Sequence, residues 1–356
     1  MARALLTIDL DAIIANWRAL DALSGAKVAT AAVLKADAYG LGAERVGPAL
    51  RAAGVRSFFV ALAEEGAALR RAVGSGPEIF ILSGPMPGDA PLLRAHDLIP
   101  CLNSASQILE FAREFPGGEA AIQVDSGMNR LGLEAAELAE VASLLQAIRP
   151  TLVFSHLACA DEPGHPLNAA QHEAFAAIAR AVPTARRSLA ATGGILLGPD
   201  FHFELTRAGV GLYGGHPFAA ARPVLRLALP VIQVRDVDPG EVVGYGGAWR
   251  AERPTRVATL AAGYADGLLR NLGFGEVRLF AGRHACPMIG RVSMDLLTVD
   301  VTDLPEVPER LEILNEHQTV NQLATAAGTI GYEILTSLGA RYERVYKSSA
   351  PVPDPE

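Results

Sequence analysis

The sequence predicts an α/β protein in which a (β/α)8 barrel of the TIM type is followed by a mostly antiparallel β domain. Up to about residue 215, short apolar segments alternate with amphipathic ones, and the apolar segments are almost continuously hydrophobic. This combination is typical of a parallel sheet covered by helices. The pattern changes near residue 222, so we predict a barrel over residues 1–221 and a second domain over residues 222–356.

The first part of the chain contains about eight strand–helix repeats, which fit a closed barrel better than an open sheet. The strand candidates are LLTIDL, VATAAVLK, SFFVAL, EIFILS, IPCL, AAIQVD, LVFSHL, SLAAT and AGVGLYG. Segments between them, such as AAELAEVASLLQAI, repeat apolar residues at helical spacing. A doubly wound sheet is the alternative, although no glycine fingerprint follows the first strand.

The second part reads as strands separated by turn residues, with one helical segment near the end. The strands are PVLRLALPVIQVRDV, EVVGYGG, TRVATLAAGYADG, GEVRLFAG, LLTVDVTD and RLEILN, and the helix is TVNQLATAAG. Strands in succession without intervening helices indicate an antiparallel domain.

Composition argues against several kinds of partner and site. The net charge of −8 does not suit nucleic acid, because neutralising phosphates requires a basic face. No secretion signal is evident, and no apolar run approaches the ~20 residues of a membrane helix. Three well-separated cysteines, Cys101, Cys159 and Cys286, show neither metal-ligand spacing nor a disulfide framework. We therefore expect a cytoplasmic protein without a metal or a membrane partner.

The motif AVLKADAYGLG places Lys35 at the end of an apolar strand. Barrel active sites form at the carboxyl ends of the strands, where desolvation lowers the pKa of a lysine, as imine chemistry with a carbonyl requires. The hydroxyl of Tyr39 suits an anion such as phosphate. The alternative is a structural lysine whose stem lies on the barrel rim, with its ammonium group in water.

Other polar residues follow further predicted strand ends. Arg207 in TRAGVGLYGG precedes small residues whose backbone amides can bind phosphate. Arg130 follows a strand in VDSGMNRLG, and His156 follows one in FSHLACAD. Taken singly, a loop arginine paired with an acid or a structural histidine explains each. In the second domain, GYADG with Tyr264 and GRVSMD are candidate segments, although Tyr264 alone reads as a turn residue.

Together these motifs resemble bacterial alanine racemase, in order and in spacing. The resemblance runs from IDLDAIIANWRAL to Tyr346, and its motifs are AVLKADAYGLG, MNRLG, FSHLACAD, TRAGVGLYG, GYADG, GRVSMD and GTIGYEILTSLGARYERVY. It implies a pyridoxal 5'-phosphate cofactor bound covalently to Lys35 and a homodimer with shared active sites. The implied activity interconverts L-alanine and D-alanine for peptidoglycan synthesis.

The resemblance also implies roles for single residues. Lys35 matches the base on one face of the cofactor, and Tyr264 matches the base on the other face, supplied by the partner subunit. Arg207 matches the residue that faces the pyridine nitrogen, and because an arginine keeps its proton, that nitrogen stays largely unprotonated. His156 matches the residue that orients this arginine.

The remaining matches concern the phosphate and the substrate. The phosphate ligands implied are Tyr39, Thr192, the backbone at Gly209 and Val210, and Tyr346. Arg130 matches an arginine near the phenolic oxygen of the cofactor and the substrate carboxylate, and Met294 matches a residue whose amide meets that carboxylate. Asp295 belongs to the same motif as Met294 and is expected to support the surroundings of Tyr264.

The sequence departs from the family pattern at two places. Gln123 stands where many members have a lysine that carries a carbamate, and a neutral amide cannot supply that anion to hold Arg130. We hypothesise that chloride or another side chain takes its place. Ala191 and Thr192 stand where Asn and Ser are common, and Thr192 keeps the hydroxyl that phosphate binding needs.

Other functions remain as alternatives. A serine racemase or a racemase of broad specificity is the nearest one, because the sequence gives no pocket volume. A decarboxylase of the same fold would need a catalytic cysteine, and GRVSMD has Ser293 in its place. A noncatalytic carrier of the cofactor would lack the β domain, and an aldolase that uses Lys35 would not need GYADG.

Overall fold

A computed structural model of the chain describes residues 3–182, 186–273 and 276–349. The chain divides into two compact units, each with its own core. One unit runs from Ile13 to Ala221; the other begins at Arg222 and also includes the segment up to Ala12. Residues 350–356, at the end of the predicted second domain, lie outside the described residues.

Strands and helices alternate up to residue 221. They are β1 (Leu5–Asp9), α1 (Leu10–Ser24), β2 (Ala29–Val33), α2 (Lys35–Gly40), α3 (Ala43–Ala53), β3 (Ser57–Val60), α4 (Ala63–Val73), β4 (Glu78–Ile81), α5 (Ala90–Ala95), β5 (Ile99–Leu102), α6 (Ala105–Glu114), β6 (Glu119–Gln123), α7 (Ala135–Glu140), β7 (Arg149–Phe154), α8 (Pro166–Ile178), β8 (Arg186–Ser188), α9 (Thr192–Leu197) and β9 (Leu205–Ala208).

Strands β2 to β9 form a parallel sheet that closes on itself, which confirms the predicted barrel. Their order is β8-β7-β6-β5-β4-β3-β2-β9. A parallel bridge between Ala191 and Arg207 joins the two edges, and the amide of Arg207 donates to the carbonyl of Ala190 at 2.9 Å. Because parallel strands have both faces covered, β3, β5 and β9 are buried along their whole length.

Two of the predicted strands were wrong as barrel strands. The LLTIDL segment forms β1, which pairs antiparallel with β10 and parallel with β18 rather than with the barrel. Its residues alternate between buried and half-buried, as expected for a sheet with one covered face. The AGVGLYG segment contributes only its first alanine to β9 and then forms a 3-10 turn over Val210–Tyr213.

One predicted helix is shorter than its apolar periodicity suggests. In AAELAEVASLLQAI the α-helix covers only Ala135–Glu140, and a 3-10 turn over Leu144–Gln146 follows. Leu138, Val141 and Ile148 are nevertheless buried in the same core cluster. The periodicity therefore identified the buried face correctly, although the backbone departs from helix.

The rest of the chain is mostly antiparallel, as predicted. Its elements are β10 (Leu225–Val237), β11 (Val242–Val243), β12 (Trp249–Arg250), β13 (Thr255–Leu260), β14 (Arg278–Ala281), β15 (His284–Ile289), β16 (Leu297–Asp300), β17 (Arg310–Leu314), α10 (Val320–Ala327), α11 (Gly331–Ser337) and β18 (Glu343–Lys347). The main sheet has the order β13-β16-β15-β14-β17-β10-β1-β18, and β13 also pairs with β10. Strand β10 is long enough to pair with β1 and β17 through its first half and with β13 through its second half, and its register with β13 shifts between Val231 and Gln233.

The described residues contain neither a membrane-spanning helix nor a metal-binding cluster. No helix among them combines the length and the apolar character needed to cross a membrane. Within the same ranges, no group of three or more His, Cys, Asp or Glu side chains is arranged to hold a metal ion.

Candidate active site

Polar side chains gather at the carboxyl ends of the barrel strands. Lys35 follows β2, Gln123 ends β6, and His156 comes shortly after β7. Arg207 lies in β9, beside the end of β8. The carboxyl ends of barrel strands form one face, on which catalytic groups from different strands meet.

The backbone after Lys35 makes a left-handed turn. The four residues Ala36–Tyr39 have φ values between 53° and 58°, a region that costs residues other than glycine roughly 1–2 kcal/mol each. Two carboxylates hold the turn: Glu65 Oε1 accepts from the amide of Ala36 at 2.7 Å, and Asp37 Oδ1 accepts from the amide of Ala43 at 2.7 Å. Strain of this kind persists only where the surroundings determine the conformation, which is common at functional sites.

The environment of Lys35 makes its ammonium form less favourable than it is in water. By surface area its side chain is exposed, yet the protein atoms around the ammonium group partly desolvate it. That desolvation lowers the pKa of Lys35 from its ordinary value, and the nearby charges of Arg130 and Arg207 lower it further, against an opposing effect of Glu65. A lysine with a lowered pKa is suited to imine formation and to proton transfer.

Tyr39 is buried beside the glycine-rich segment after β9. Its ring lies against that of Tyr213, with the centroids 4.7 Å apart, and the hydroxyl of Tyr213 donates to the carbonyl of Val33 at 2.9 Å. A Cβ atom on Gly209 would lie 3.0 Å from the Tyr39 hydroxyl. The absence of a side chain at Gly209 therefore leaves the space next to this hydroxyl open.

Thr192 closes the other side of the same segment. Its Oγ1 accepts from the amide of Gly209 at 3.0 Å and from that of Gly211 at 3.3 Å. A Cβ atom on Gly211 would lie 2.7 Å from Cγ2 of Thr192, so a larger residue there would push the threonine away. The structure thus brings Tyr39, Thr192, Gly209 and the buried Val210 into one neighbourhood, with the hydroxyl and amide groups that phosphate binding uses.

Arg207 is a buried cation whose hydrogen-bond acceptors are neutral. Only 4% of its surface is exposed. Nη1 donates to the carbonyl and the hydroxyl of Ser188 at 3.0 and 2.5 Å, and Nη2 donates to the carbonyls of Ser155 and Leu189 at 2.7 and 3.3 Å. Burial lowers the pKa of Arg207 to about 10, which still leaves the guanidinium charged at neutral pH. The ring of Phe154 lies 5.2 Å from it.

His156 is neutral at neutral pH. Burial lowers its pKa to about 3, and the charges of Arg207, Arg130 and Lys35 act in the same direction. Around this neutral imidazole stand three cationic side chains. Their combined field favours an anionic ligand, such as one that carries a phosphate or a carboxylate.

The loop that carries Arg130 is fixed by its own backbone. Asp125 accepts from the amides of Gly127 and Met128 through Oδ1, at 2.8 and 2.9 Å, and from the amide of Asn129 through Oδ2, at 2.9 Å. Sequence reasoning missed this role of Asp125, although Asp-Ser-Gly is a turn signal that could have suggested it. The arginine that follows the turn is exposed.

Gln123 is buried and supports the same loop directly. Only 6% of its surface is exposed, and its Nε2 donates to the carbonyl of Leu131 at 3.3 Å. An uncharged amide therefore stabilises the backbone next to Arg130.

In the second unit, Tyr264 and Met294 lie on two loops that pair with each other. The amide of Tyr264 donates to the carbonyl of Ser293 at 3.0 Å, and that of Ala265 donates to the carbonyl of Met294 at 2.9 Å. A Cβ atom on Gly263 would lie 2.2 Å from the Ser293 oxygen, so the glycine that precedes Tyr264 is required for this approach. Tyr264 is 40% exposed.

Asp295 reaches the Tyr264 loop through Arg341. Arg341 donates to Asp266 through Nε and Nη2, at 2.6 and 2.8 Å, and to Asp295 through Nη1 at 2.7 Å. Asp266 in turn accepts from the amide of Gly263 at 2.9 Å. Sequence reasoning missed Asp266 and Arg341, because each looks like an ordinary charged residue until the fold brings them together.

Tyr346 occupies a different part of the second unit. It lies on β18, directly opposite Ile8 of β1, and it is half-buried. The structure therefore collects the candidate residues into two groups. The barrel group is Lys35, Tyr39, Gln123, Arg130, His156, Thr192, Arg207, Gly209 and Val210, and the second unit carries Tyr264, Met294, Asp295 and Tyr346.

Comparison with known families and proteins covers nearly the whole chain. The family model "Alanine racemase, N-terminal domain" matches residues 8–217, and "Alanine racemase, C-terminal domain" matches residues 224–346. An alanine racemase of Cereibacter sphaeroides (strain ATCC 17025 / ATH 2.4.3) is 59% identical over 98% of this chain and 100% of its own length. An alanine racemase of Ruegeria sp. (strain TM1040) is 56% identical with the same coverage.

Solved structures agree in fold. The alanine racemase from Bartonella henselae with covalently bound pyridoxal phosphate has a TM-score of 0.90 at 37% identity, covering 98% of this chain and 100% of that one. The biosynthetic alanine racemase from Pseudomonas aeruginosa has a TM-score of 0.89 at 35% identity, with the same coverage. The two family models together cover both units, and the relatives match this chain from end to end. The chain therefore belongs to the alanine racemase family of pyridoxal-phosphate-dependent isomerases.

Proposed function

We propose that the protein interconverts L-alanine and D-alanine by proton transfer at Cα between two bases, Lys35 and Tyr264. Family membership supports the activity. The observation that carries the proposal is the barrel-end arrangement in which Lys35, with a lowered pKa, stands near the cations Arg130 and Arg207 and the neutral His156. In the cytoplasm, the D-alanine formed would supply peptidoglycan synthesis.

The barrel residues fit a phosphate-bearing aldehyde cofactor. Lys35 would provide the amine for covalent attachment. The hydroxyl of Tyr39 borders the space beside Gly209, and the hydroxyl of Thr192 accepts from the amide of Gly209. In the Bartonella henselae relative, pyridoxal phosphate is bound covalently. We propose the same cofactor here, with Tyr39, Thr192, Gly209, Val210 and Tyr346 holding its phosphate. When bound, pyridoxal phosphate supplies the electron sink that stabilises negative charge at Cα.

Arg207 would keep the pyridine nitrogen unprotonated. Its pKa of about 10 keeps the proton on the guanidinium at neutral pH, and its four hydrogen bonds to neutral acceptors hold the group in place. By keeping its own proton, Arg207 would limit how strongly electrons are withdrawn from Cα and so would favour return of the proton to Cα over loss of the amino group. His156 stays neutral next to this cation and adds no second positive charge.

Two bases on opposite faces allow inversion without rotation of the reacting carbon. Lys35 would take or give the proton on one face, since its lowered pKa makes the neutral amine accessible. Tyr264 would act on the other face, on a loop held by the contact of Asp266 with Arg341. Arg130 and the amide of Met294 would bind the substrate carboxylate.

We further propose that the partner subunit of a homodimer supplies its Tyr264 to each site. The loop contacts of Tyr264 with Ser293 and Ala265 with Met294 are complete within the second unit, so a phenol and a carboxylate-binding amide can be presented together to a neighbouring chain. Homo-oligomers with two-fold symmetry place the same surface of each chain against the other, which would generate two equivalent sites.

Chloride is proposed to take the place of the missing carbamate near Arg130. Gln123 supports the Arg130 loop with its amide nitrogen but supplies no negative charge. Arg130 is exposed, so a small anion can approach it from solvent. The anion would orient the guanidinium for the substrate carboxylate.

Because the chain has three lysines, peptide mapping can identify the one to which the cofactor is attached. Borohydride reduction of the holoenzyme, followed by peptide mapping, should fix the cofactor on Lys35 and leave Lys27 and Lys347 unlabelled, because Lys35 follows a barrel strand and its pKa is lowered by burial and nearby cations. Lys35→Ala should give no label. A label on Lys27 or Lys347 in the native enzyme would contradict the assignment.

Tyr264→Phe should lower kcat/KM for racemisation by ~10²–10⁴, the range typical of a lost acid–base group. The loss must be equal in both directions, because mirror-image substrates fix the equilibrium constant at unity. Exchange of the Cα proton with deuterium, measured by NMR, should persist for the enantiomer that Lys35 deprotonates and vanish for the other. Tyr332→Phe is the control, since both tyrosines are 40% exposed; equal behaviour of the two variants would exclude the phenol as a base.

Subunit sharing can be tested by producing Lys35→Ala and Tyr264→Phe chains together. In a shared-site dimer, a mixed pair has one site with both defects and one intact site, so random pairing should restore about a quarter of the wild-type rate. Either variant alone should remain inactive. If each site is built from a single chain, every site keeps one defect and the co-produced protein should be no more active than the separate variants.

Replacing chloride by gluconate at constant ionic strength should reduce kcat/KM for alanine, and adding chloride back should restore it. Gln123→Glu provides the matched control, because a fixed carboxylate at this position should make the rate independent of chloride. Wild-type activity that does not respond to chloride would rule out the bound anion.

A further inference from the structure

Gln171 lies on α8 and uses its whole side-chain amide to join two barrel loops. It is completely buried. Its Oε1 accepts from the amide of Ala158 at 2.8 Å. Its Nε2 donates to the carbonyl of His156 at 3.0 Å and to the hydroxyl of Ser126 at 3.4 Å. The amide therefore connects the loop after β6 with the loop after β7.

The connection continues to the buried arginine. The hydroxyls of Ser126 and Ser155 lie 2.7 Å apart, and the carbonyl of Ser155 accepts from Nη2 of Arg207 at 2.7 Å. Gln171 is thus linked to Arg207 through the hydroxyl of Ser126 and then through Ser155, which bonds to Ser126 with its hydroxyl and to Arg207 with its carbonyl. The carbonyl bound by Gln171 belongs to His156, the residue that follows Ser155 in the chain.

The two loops carry two candidate site residues, Arg130 and His156, and an acceptor for a third, Arg207. The loop after β6 contains Ser126 and, four residues further on, Arg130, and Asp125 fixes its backbone. The segment after β7 contains His156 and the acceptor for Arg207. Loss of the buried amide would leave the amide of Ala158 and the carbonyl of His156 without this partner and would detach Ser126 from α8, and unpaired buried polar groups are destabilising.

We propose that Gln171 is a positioning residue that sets the position of Arg207 and His156 relative to the Arg130 loop. This inference rests on the proposed function, because it assigns Gln171 an effect on the cofactor that Arg207 would contact. Gln171 acts through the segment it holds and touches neither the cofactor nor the substrate.

The barrel contains a matched control for a purely structural role. Gln107 on α6 makes the same kind of connection between the loops after β4 and β5. Its Oε1 accepts from the amide of Asn103 at 2.8 Å, and its Nε2 donates to the carbonyl of Ser83 at 3.2 Å. Neither of these loops carries a candidate site residue, so removal of this amide should affect stability without affecting the chemistry.

The experiment compares Gln171→Leu with Gln107→Leu. Both should lower Tm, since both leave loop groups unpaired. Only Gln171→Leu should weaken rebinding of pyridoxal phosphate to the apoprotein. We expect a loss of affinity of about tenfold, as is typical when a residue that orients a ligand-contacting side chain is removed. Only Gln171→Leu should also form pyruvate faster, up to one equivalent per site because the amino group stays on the cofactor, since a displaced Arg207 would no longer keep the pyridine nitrogen unprotonated.

Ser126→Ala keeps the inference testable if Gln171→Leu does not fold. It removes one hydroxyl from the chain between Gln171 and Ser155, and it should raise pyruvate formation in the same direction with a smaller loss of Tm. Cofactor affinity and pyruvate formation that match those of Gln107→Leu, in both variants, would overturn the inference. A wild-type protein that neither binds the cofactor nor racemises alanine would instead overturn the proposed function.

Discussion

The burial of Arg207 among neutral acceptors is the constraint on which the barrel end depends. Moving a cation out of water costs several kcal/mol unless its donors find partners. Here the partners are the hydroxyl of Ser188 and the carbonyls of Ser155, Ser188 and Leu189. These groups lie at the ends of two neighbouring strands, β7 and β8. The hydrogen bonds of Arg207 therefore depend on the register between these strands. A carboxylate partner would hold the charge more strongly but would neutralise the field that the site presents.

The left-handed turn after Lys35 is a second costly feature at the same face. Left-handed backbone at four residues without glycine is unfavourable. Glu65 and Asp37 compensate by accepting from backbone amides at either end of the turn. The turn places Lys35 directly after the strand and returns the buried ring of Tyr39 toward Gly209. The strained turn thus brings the amine of Lys35 and the hydroxyl of Tyr39, both from one short segment, to the same end of the sheet.

Much of this arrangement could be predicted from the sequence, because the motif residues lie where strands end and their types are specific. The alternation of buried strands and helices predicted the barrel, and the change near residue 222 predicted a second type of sheet. The first strand was misassigned because an apolar segment before a helix looks the same in either sheet. Only its pairing with β10, more than 200 residues away, distinguishes the two.

The supporting residues could not be predicted, for a related reason. Gln171 meets Ser126 across 45 positions of sequence, and Arg341 meets Asp266 across 75. Nothing in the local pattern separates Gln171 from any other amide on a helix, or Arg341 from any exposed cation. Their roles follow from long-range geometry, and they determine how firmly the recognised motif residues are held.

Racemisation of L-alanine in deuterated water, followed by NMR and optical rotation together, tests the central claim most directly. We predict that optical activity is lost while deuterium enters at Cα, and that pyruvate does not form, because in the proposed mechanism Arg207 would leave the pyridine nitrogen unprotonated. Loss of optical activity without deuterium at Cα, or formation of pyruvate approaching one equivalent per site early in racemisation, would contradict this mechanism.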